Sequence, residues 1–354
     1  MKILRSVKIL LFLAIAILIK PFFKTHNFRN LIVIGSRNGR AGYDNGEILH
    51  QYFLSKNKNA LLISDRDDKK RGIIKFNSLY SIICVLNSSV KIVTHSESDL
   101  FDYWWRLIPK LKVCCIQHGV IGIKRLKEYE SKIFDKFLIS NSFEKRILKK
   151  HYSIDDKDIL EIGLPRFDTY EVKENIDIKN CLILPTWRKD SLLGEEIFRQ
   201  FILAAIKLSE NIKNVNFYIA AHPEVEVFTG NKISRNKNLN IIHSSDIHDK
   251  IKSCDLLITD YSSVAWDFLY MNKFIAFYTP DYKGFSETQG LYCEFEKILG
   301  CHIYFEDLDC EDFIEKVIFE NQNKNKYFIK EFDFYNHNTK SHCECLSNVL
   351  ISKG

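Results

Sequence analysis

Residues 256–269 read Leu-Leu-Ile-Thr-Asp-Tyr-Ser-Ser-Val-Ala-Trp-Asp-Phe-Leu. A run of apolar, β-prone residues, Leu256-Leu257-Ile258, gives way to the polar cluster Thr259-Asp260-Tyr261-Ser262-Ser263. Apolar residues then recur at helical spacing, at Val264, Ala265, Phe268 and Leu269. An unbroken apolar run of this length suits a strand buried on both faces, as in a parallel sheet, and the spacing after it predicts a helix. The segment therefore reads as one strand–loop–helix unit of an α/β protein. Its polar cluster sits at the carboxyl end of the strand, the edge where open α/β sheets bind ligands.

The same grammar recurs along the chain. Strand-like runs are expected at 31–34, 60–64, 91–95, 113–117, 136–140 and 159–162, with helical patterns at 47–55 and 142–151. A charged, weakly patterned stretch at 169–179 reads as a linker. A second series follows, with strands at 181–184, 216–220, 240–243, 255–259 and 274–278 and helices at 195–208, 262–270 and 311–320. Alternation of strand and helix implies parallel, doubly wound sheets, and 354 residues are too many for one ordinary core. The expected fold class is α/β: two doubly wound parallel-sheet domains facing a cleft, the GT-B architecture, with an N-terminal membrane-associated helix. The expected boundaries are 1–30 for the anchor, 31–170 for an acceptor-side domain and 180–354 for a donor-nucleotide domain.

Charge is distributed unevenly. Lys2, Arg5, Lys8, Lys20, Lys24 and Arg29 face no acid within the first 30 residues and account for the whole net charge of +6. The rest of the chain is balanced, which argues against a nucleic-acid-binding surface. Between Lys8 and Lys20 lie eleven apolar residues, 9–19. That is short for a perpendicular span, and no small-residue cleavage site follows, so a shallowly inserted or surface-lying anchor is expected, drawn by its basic flanks to anionic headgroups. The 10 cysteines show no framework spacing and read as reduced, mostly buried thiols. His342-Cys343-Glu344-Cys345 reads as the solvent-facing part of a last helix, not as a metal clip.

Three further clusters close expected strands as Thr259–Ser263 does. Gln117-His118-Gly119 offers an imidazole beside a residue that lets the backbone turn or approach closely. Pro185-Thr186-Trp187-Arg188 offers a hydroxyl and a planar guanidinium fork. In His222-Pro223 the proline favours an extended histidine at a strand rim. Ser262 and Ser263 can cap the following helix or meet a phosphate there. Histidines, arginine and hydroxyls at strand ends suit a diphosphate, and the set points to phosphate transfer from a nucleotide-activated donor. The acidic stretch Asp65-Arg66-Asp67-Asp68 reads as a solvated loop, so no catalytic metal and no cofactor are expected.

In this order the clusters resemble the CDP-glycerol glycerophosphotransferase family, which builds teichoic acid and related polyol-phosphate polymers. Tyr43-Asp44-Asn45, the stretch 142–147 and Gly163-Leu164-Pro165-Arg166-Phe167-Asp168 (similar to the family's Gly-x-Pro-Arg-x-Asp) extend the resemblance over about residues 31–280. The resemblance implies His118 as the catalytic base and His222 as a second catalytic histidine. It implies that His222, Arg188, Ser262 and Ser263 hold the donor diphosphate, beside which Thr186 offers a further donor, with Asp260 positioning the loop or binding a donor hydroxyl and Arg166 near phosphate. The implied reaction moves glycerol phosphate from CDP-glycerol to a hydroxyl of a polyprenyl-diphosphate-linked saccharide or polyol phosphate, releasing CMP, at the cytoplasmic face of the membrane. CDP-ribitol as donor, or sugar transfer from a nucleotide sugar, are the alternatives. Where the family often has Trp-His-Gly-Thr-Pro and then Lys, this chain has Gln117-His118-Gly119-Val120-Ile121-Gly122-Ile123-Lys124, a change bearing on the acceptor. With no long extra N-terminal region, a single-addition, primase-like role is expected.

Overall fold

The computed structural model describes residues 2–23, 28, 30–40, 44–108, 111–126, 134–174, 176–186, 188, 191–220, 237–292, 300–309, 312–331, 333–337 and 339–351. His222, Pro223, Trp187 and Tyr43 lie outside the described residues.

Two parallel sheets form. The first contains β1 (Ile32–Gly35), β2 (Ala60–Ser64), β3 (Ile73–Lys75), β4 (Val90–Val93), β5 (Cys114–Cys115), β6 (Lys136–Ile139) and β7 (Ile159–Glu161), in the order β3-β2-β1-β4-β5-β6-β7. The second contains β8 (Asn180–Leu184), β9 (Asn216–Ala220), β10 (Leu239–Ile242), β11 (Leu256–Thr259), β12 (Phe274–Tyr278) and β13 (Cys301–Ile303), in the order β10-β9-β8-β11-β12-β13. Each sheet winds outward in both directions from its first strand, so each has a switch point, between β1 and β4 and between β8 and β11. Loops diverge there and leave a crevice beyond the strand ends. This is the expected α/β, two-domain GT-B architecture. The central strands are buried throughout, as both β1 and β11 show. That burial explains why they read as continuous apolar runs without alternation.

The sequence reading missed β3, β13 and the helix Leu79–Asn87, all short or all-apolar segments in which strand and helix periods cannot be told apart. Helix Leu79–Asn87 is started by a capping box in which Ser78 and Ser81 satisfy each other's backbone N–H groups.

The N-terminal helix Lys2–Ile19 lies against helix Leu79–Asn87 and buries one stripe, Ile9, Leu13 and Ala16. Burial of Ile9 and Leu13 is worth about 2 kcal/mol each. Arg5 reaches Asp102 at 2.9 Å, and Trp104 Nε1 donates to the Ser6 carbonyl at 2.8 Å. The opposite face, with Leu4 at 76%, Leu11 at 59% and Leu18 at 75% exposure, meets solvent.

The end of the chain crosses back to the first domain. In helix His342–Ile351, the Asp168 carboxylate accepts from the backbone N–H groups of His342 (2.7 Å) and Cys343 (3.0 Å). His342 Nδ1 lies 2.8 Å from the Ile162 carbonyl, and its Nε2 lies 3.0 Å from Tyr270 Oη. His342 and Cys343 are therefore buried, correcting the expectation of a solvent-facing helix. A terminal segment reads as exposed when the partner that covers it lies 170–180 residues away.

Candidate active site

The His118 loop is held from inside by one carboxylate. Glu144, fully buried in the first turn of helix Ser142–Tyr152, accepts from Ser140 N and Oγ (both 2.6 Å), Ile121 N (2.8 Å) and Gln117 Nε2 (3.0 Å). Burial pushes its pKa up, and these bonds pull against that rise. Gln117 takes the left-handed backbone region at φ 58°, which costs a non-glycine residue about 1 kcal/mol. Its side chain anchors the turn by a second bond to the Leu138 carbonyl, 2.6 Å. Asn45, capped by Asp44 at the start of helix Asn45–Ser55, donates to the Gln117 carbonyl at 2.9 Å. The turn projects His118 into the cleft.

The ring of His118 opens to water on one side, yet cleft walls and cations surround the rest. Burial first, then His95, Arg166, Arg37 and Lys124, hold its pKa below the ordinary imidazole value. This direction favours the neutral imidazole, the form a base needs.

His95 is a residue the sequence reading placed in a strand and gave no chemistry. It follows β4, and its ring centroid lies 5.9 Å from that of His118. Buried Asp99 builds this corner: it accepts from Thr94 N (3.0 Å), Thr94 Oγ1 (3.2 Å) and His95 N (2.7 Å), and from Asn38 N (2.8 Å) beyond β1. A histidine at the carboxyl end of a central strand was the available signal. Glu47 was missed too. Burial, then the Asp44 charge, push its pKa up to about 8, and Ser36 Oγ donates to it at 3.3 Å.

Across the cleft, the loops after β8 and β11 are latched together. Buried Asp260 accepts from Thr186 N (2.8 Å), Tyr261 N (2.6 Å) and Arg188 Nη2 (2.8 Å). Arg188 also meets Asp281 through Nε (2.9 Å) and Nη2 (3.0 Å), and donates to the Thr186 carbonyl at 2.6 Å. Its guanidinium lies over the Tyr261 and Phe285 rings, 5.2 and 4.8 Å from their centroids. The fork expected at a diphosphate is thus engaged by two carboxylates. Asp281, after β12, is the partner the sequence did not disclose, because it lies 93 residues from Arg188. Thr186 Oγ1 is a buried hydroxyl without a hydrogen-bond partner among the described residues. Ser262 Oγ accepts from Val264 N at 3.3 Å, while Ser263 makes no side-chain capping bond to helix Val264–Tyr270.

Arg166 ties the two halves. It meets Asp267 by a two-pronged ion pair (2.6 and 2.8 Å) and Asp44 at 3.5 Å, and it donates to the His118 carbonyl. Its own N–H donates to Asn45 Oδ1 at 3.0 Å. Burial opposes the charge, but Asp267, Tyr170 and Asp44 keep Arg166 protonated. The structure thus puts Arg166 under the His118 loop, one carbonyl away from the imidazole. The two domains touch directly here. A Cβ on Gly119 would run into Ser263 Oγ, and one on Gly122 would overlap the Trp266 indole. His118, Gly119, Lys124, Tyr261 and Ser263 line one small cavity of about 40 Å³. His118 and Ser263 are therefore brought together, with Ser262, Thr186, Asp260 and Arg188 behind. Among the described residues no group of three or more His, Cys, Asp or Glu could hold a metal ion.

A GT-B scaffold with strand-end histidine, hydroxyls and buried latches facing one another defines the class of protein by its fold, two doubly wound domains that meet across one cleft. Residues 19–342 match the family described as CDP-Glycerol:Poly(glycerophosphate) glycerophosphotransferase, and the chain belongs to that family. It is 25% identical, over 87% of its length, to the minor teichoic acid biosynthesis protein GgaB of Bacillus subtilis (strain 168), of which the match spans 38%. It is 27% identical, over 64% of its length, to the teichoic acid glycerol-phosphate primase of the same strain, spanning 60% of it. With the teichoic acid glycerol-phosphate transferase of Staphylococcus aureus (strain NCTC 8325 / PS 47) it shares 22% identity over 87% of its length and 88% of the relative's. The chain thus spans less than two thirds of the first two relatives. Its fold is similar to that of the wall teichoic acid polymerase TagF (TM-score 0.70, 17% identity, 100% of this chain and 98% of that one). It is also similar to that of the UDP-GlcNAc 2-epimerase of Methanocaldococcus jannaschii (TM-score 0.56, 12% identity, 92% and 99%).

Proposed function

We propose that this chain transfers glycerol phosphate from CDP-glycerol to a hydroxyl of a lipid-linked saccharide or polyol phosphate, releasing CMP, in the synthesis of a teichoic-acid-type or capsule-type envelope polymer. Family membership supports the donor class. The single observation carrying the mechanism is the cavity shared by His118 of one domain and Ser263 of the other.

In this reading the acceptor hydroxyl gives its proton to neutral His118 and attacks the β-phosphorus. The new phosphorus–oxygen bond forms as the bridging bond to CMP breaks, and the electron pair leaves on CMP. Ser262, Ser263 and Thr186 donate to the diphosphate oxygens, and His222 protonates or binds the departing phosphate. Donors fixed in advance stabilise this developing charge without reorganising. Asp260 and Arg188 act by holding those loops at the right spacing, and Arg166 by fixing the His118 carbonyl and the domain pairing.

The exposed apolar face of helix Lys2–Ile19, with its basic flanks, supports work at the cytoplasmic membrane surface. A helix that buries Ile9, Leu13 and Ala16 in its own domain fits a monotopic arrangement. The test is incubation of purified protein with CDP-glycerol or CDP-ribitol and a lipid-linked disaccharide, with products identified by mass. CMP plus glycerol phosphate on the acceptor supports the reading. Ribitol phosphate transfer moves it to the ribitol donor, and release of a nucleoside diphosphate overturns it.

A further inference from the structure

The first domain holds a second cavity, of about 620 Å³, outside the cleft just described. Its size is that of a small-ligand site. Trp105, Ile108 and Leu111 give it apolar walls, and Arg106 and Lys112 supply cations. The acidic lining groups are Glu97 and Asp135, and Asp135 is engaged by the Val113 N–H at 2.9 Å.

Two continuities say what this cavity takes. On one side, the segment that forms its wall is bound to the N-terminal helix: Trp104 donates to the Ser6 carbonyl, and Asp102 holds Arg5. Tyr103 and Leu107 of the same segment are exposed, as are Ile3, Leu4, Val7 and Leu11 of the helix. On the other side, Glu97 lies two residues beyond His95, whose ring faces that of His118. The lining of the cavity is thus chained on one side to the N-terminal helix and on the other to the corner that carries His95.

We propose that this cavity binds the lipid end of the acceptor: an isoprenoid chain against Trp105, Ile108 and Leu111, with its anionic diphosphate toward Arg106 and Lys112. The proposal rests on the reading that the acceptor is lipid-linked. The apolar walls suit a prenyl chain and the two cations its phosphorylated head, against the opposing charges of Glu97 and Asp135. Drawing the lipid from the bilayer into this slot leaves its saccharide free to reach His118.

The test uses the full chain and two readouts. In the first, farnesyl diphosphate is titrated by calorimetry into the wild type, Trp105→Ala and Ile108→Ser. The expected result is binding that weakens about tenfold in each variant, the size of a lost anchor side chain, and that CDP-glycerol does not displace. Equal affinity in all three proteins, or displacement by CDP-glycerol, overturns the proposal, since the probe then sits elsewhere or in the donor site. In the second, transfer from CDP-glycerol is compared for one saccharide on a long prenyl diphosphate and on a short water-soluble chain. The variants should lose about tenfold in kcat/KM for the long-chain acceptor only. Equal loss for both acceptors assigns the residues a structural role and overturns the proposal. If no acceptor is used by any protein, the transferase reading fails, and the farnesyl diphosphate titration still decides the cavity.

Discussion

At the scale of single residues, the account turns on an imidazole kept neutral and a glycine kept bare. Because His118 is depressed below 6.5 in the free protein, the acid limb of kcat/KM should fall below that pH. Protonation removes the base, so activity is lost as pH falls through the depressed value. A bound diphosphate adds negative charge opposite Arg166, Arg37 and Lys124, so the limb of kcat should lie at higher pH than that of kcat/KM. A kcat/KM limb at or above 6.5 contradicts this. Gly119→Ala would place a methyl group on Ser263 Oγ and push the domains apart locally. Transfer should drop about tenfold or more, and the added methyl group should lower the thermal midpoint less in a Ser263→Ala background, which lacks the colliding oxygen, than in the wild type. An equal loss of midpoint in both backgrounds contradicts the contact. His118, Ser262 and Ser263 could be picked out in the sequence because each sits just past an apolar run. The engagement of Arg188 could not, since its guanidinium answers to Asp281, a residue with no local signature.

At the scale of elements, strand ends were legible and the props behind them were not. The strands 60–64, 216–220 and 274–278 form at those bounds, because buried parallel strands announce themselves by uninterrupted apolar runs. The motif 142–147 could be noticed as a pattern, but its reason lies in Glu144, whose carboxylate ties β6's end, helix Ser142–Tyr152 and the His118 loop together. Sequence spacing does not reveal a carboxylate that bonds backwards to Gln117, 27 residues earlier. Removing a buried, multiply bonded carboxylate strands its donors, so Glu144→Ala should cost about 2–4 kcal/mol in unfolding free energy, read from urea midpoints. The same variant should lower kcat more than it raises KM for CDP-glycerol, because the loop it supports belongs to the acceptor side in the proposed reading. A midpoint indistinguishable from wild type contradicts the assignment.

Over the whole molecule, the N-terminal helix is divided between a narrow stripe docked on the protein and a broad bare face, on which the proposed membrane role rests. The eleven-residue apolar core was visible in the sequence, but which side would be covered depended on helix Leu79–Asn87, itself unread. Glutamate at Leu4, Leu11 and Leu18 together should leave the thermal midpoint within a few degrees, since all three side chains are exposed. It should also abolish sedimentation with vesicles of anionic lipid. The wild type should be partly released by high salt, as basic flanks demand. Undiminished vesicle binding of the triple variant contradicts a surface-lying helix. The two sheets meet through Arg166, Asp44 and Asp267 and through Gly119 against Ser263, so the cleft is a property of the pair of domains and of neither alone.

The measurement that reaches the central claim most directly is single-turnover analysis of wild type and His118→Ala with CDP-glycerol and a lipid-linked acceptor. It follows CMP and the new phosphodiester together, beside the CDP-glycerol affinity. The account predicts equal amounts of both products from the wild type. In the variant it predicts a rate lower by about 10²–10⁴-fold with affinity unchanged. Undiminished CMP release and phosphodiester formation without the His118 imidazole would contradict it.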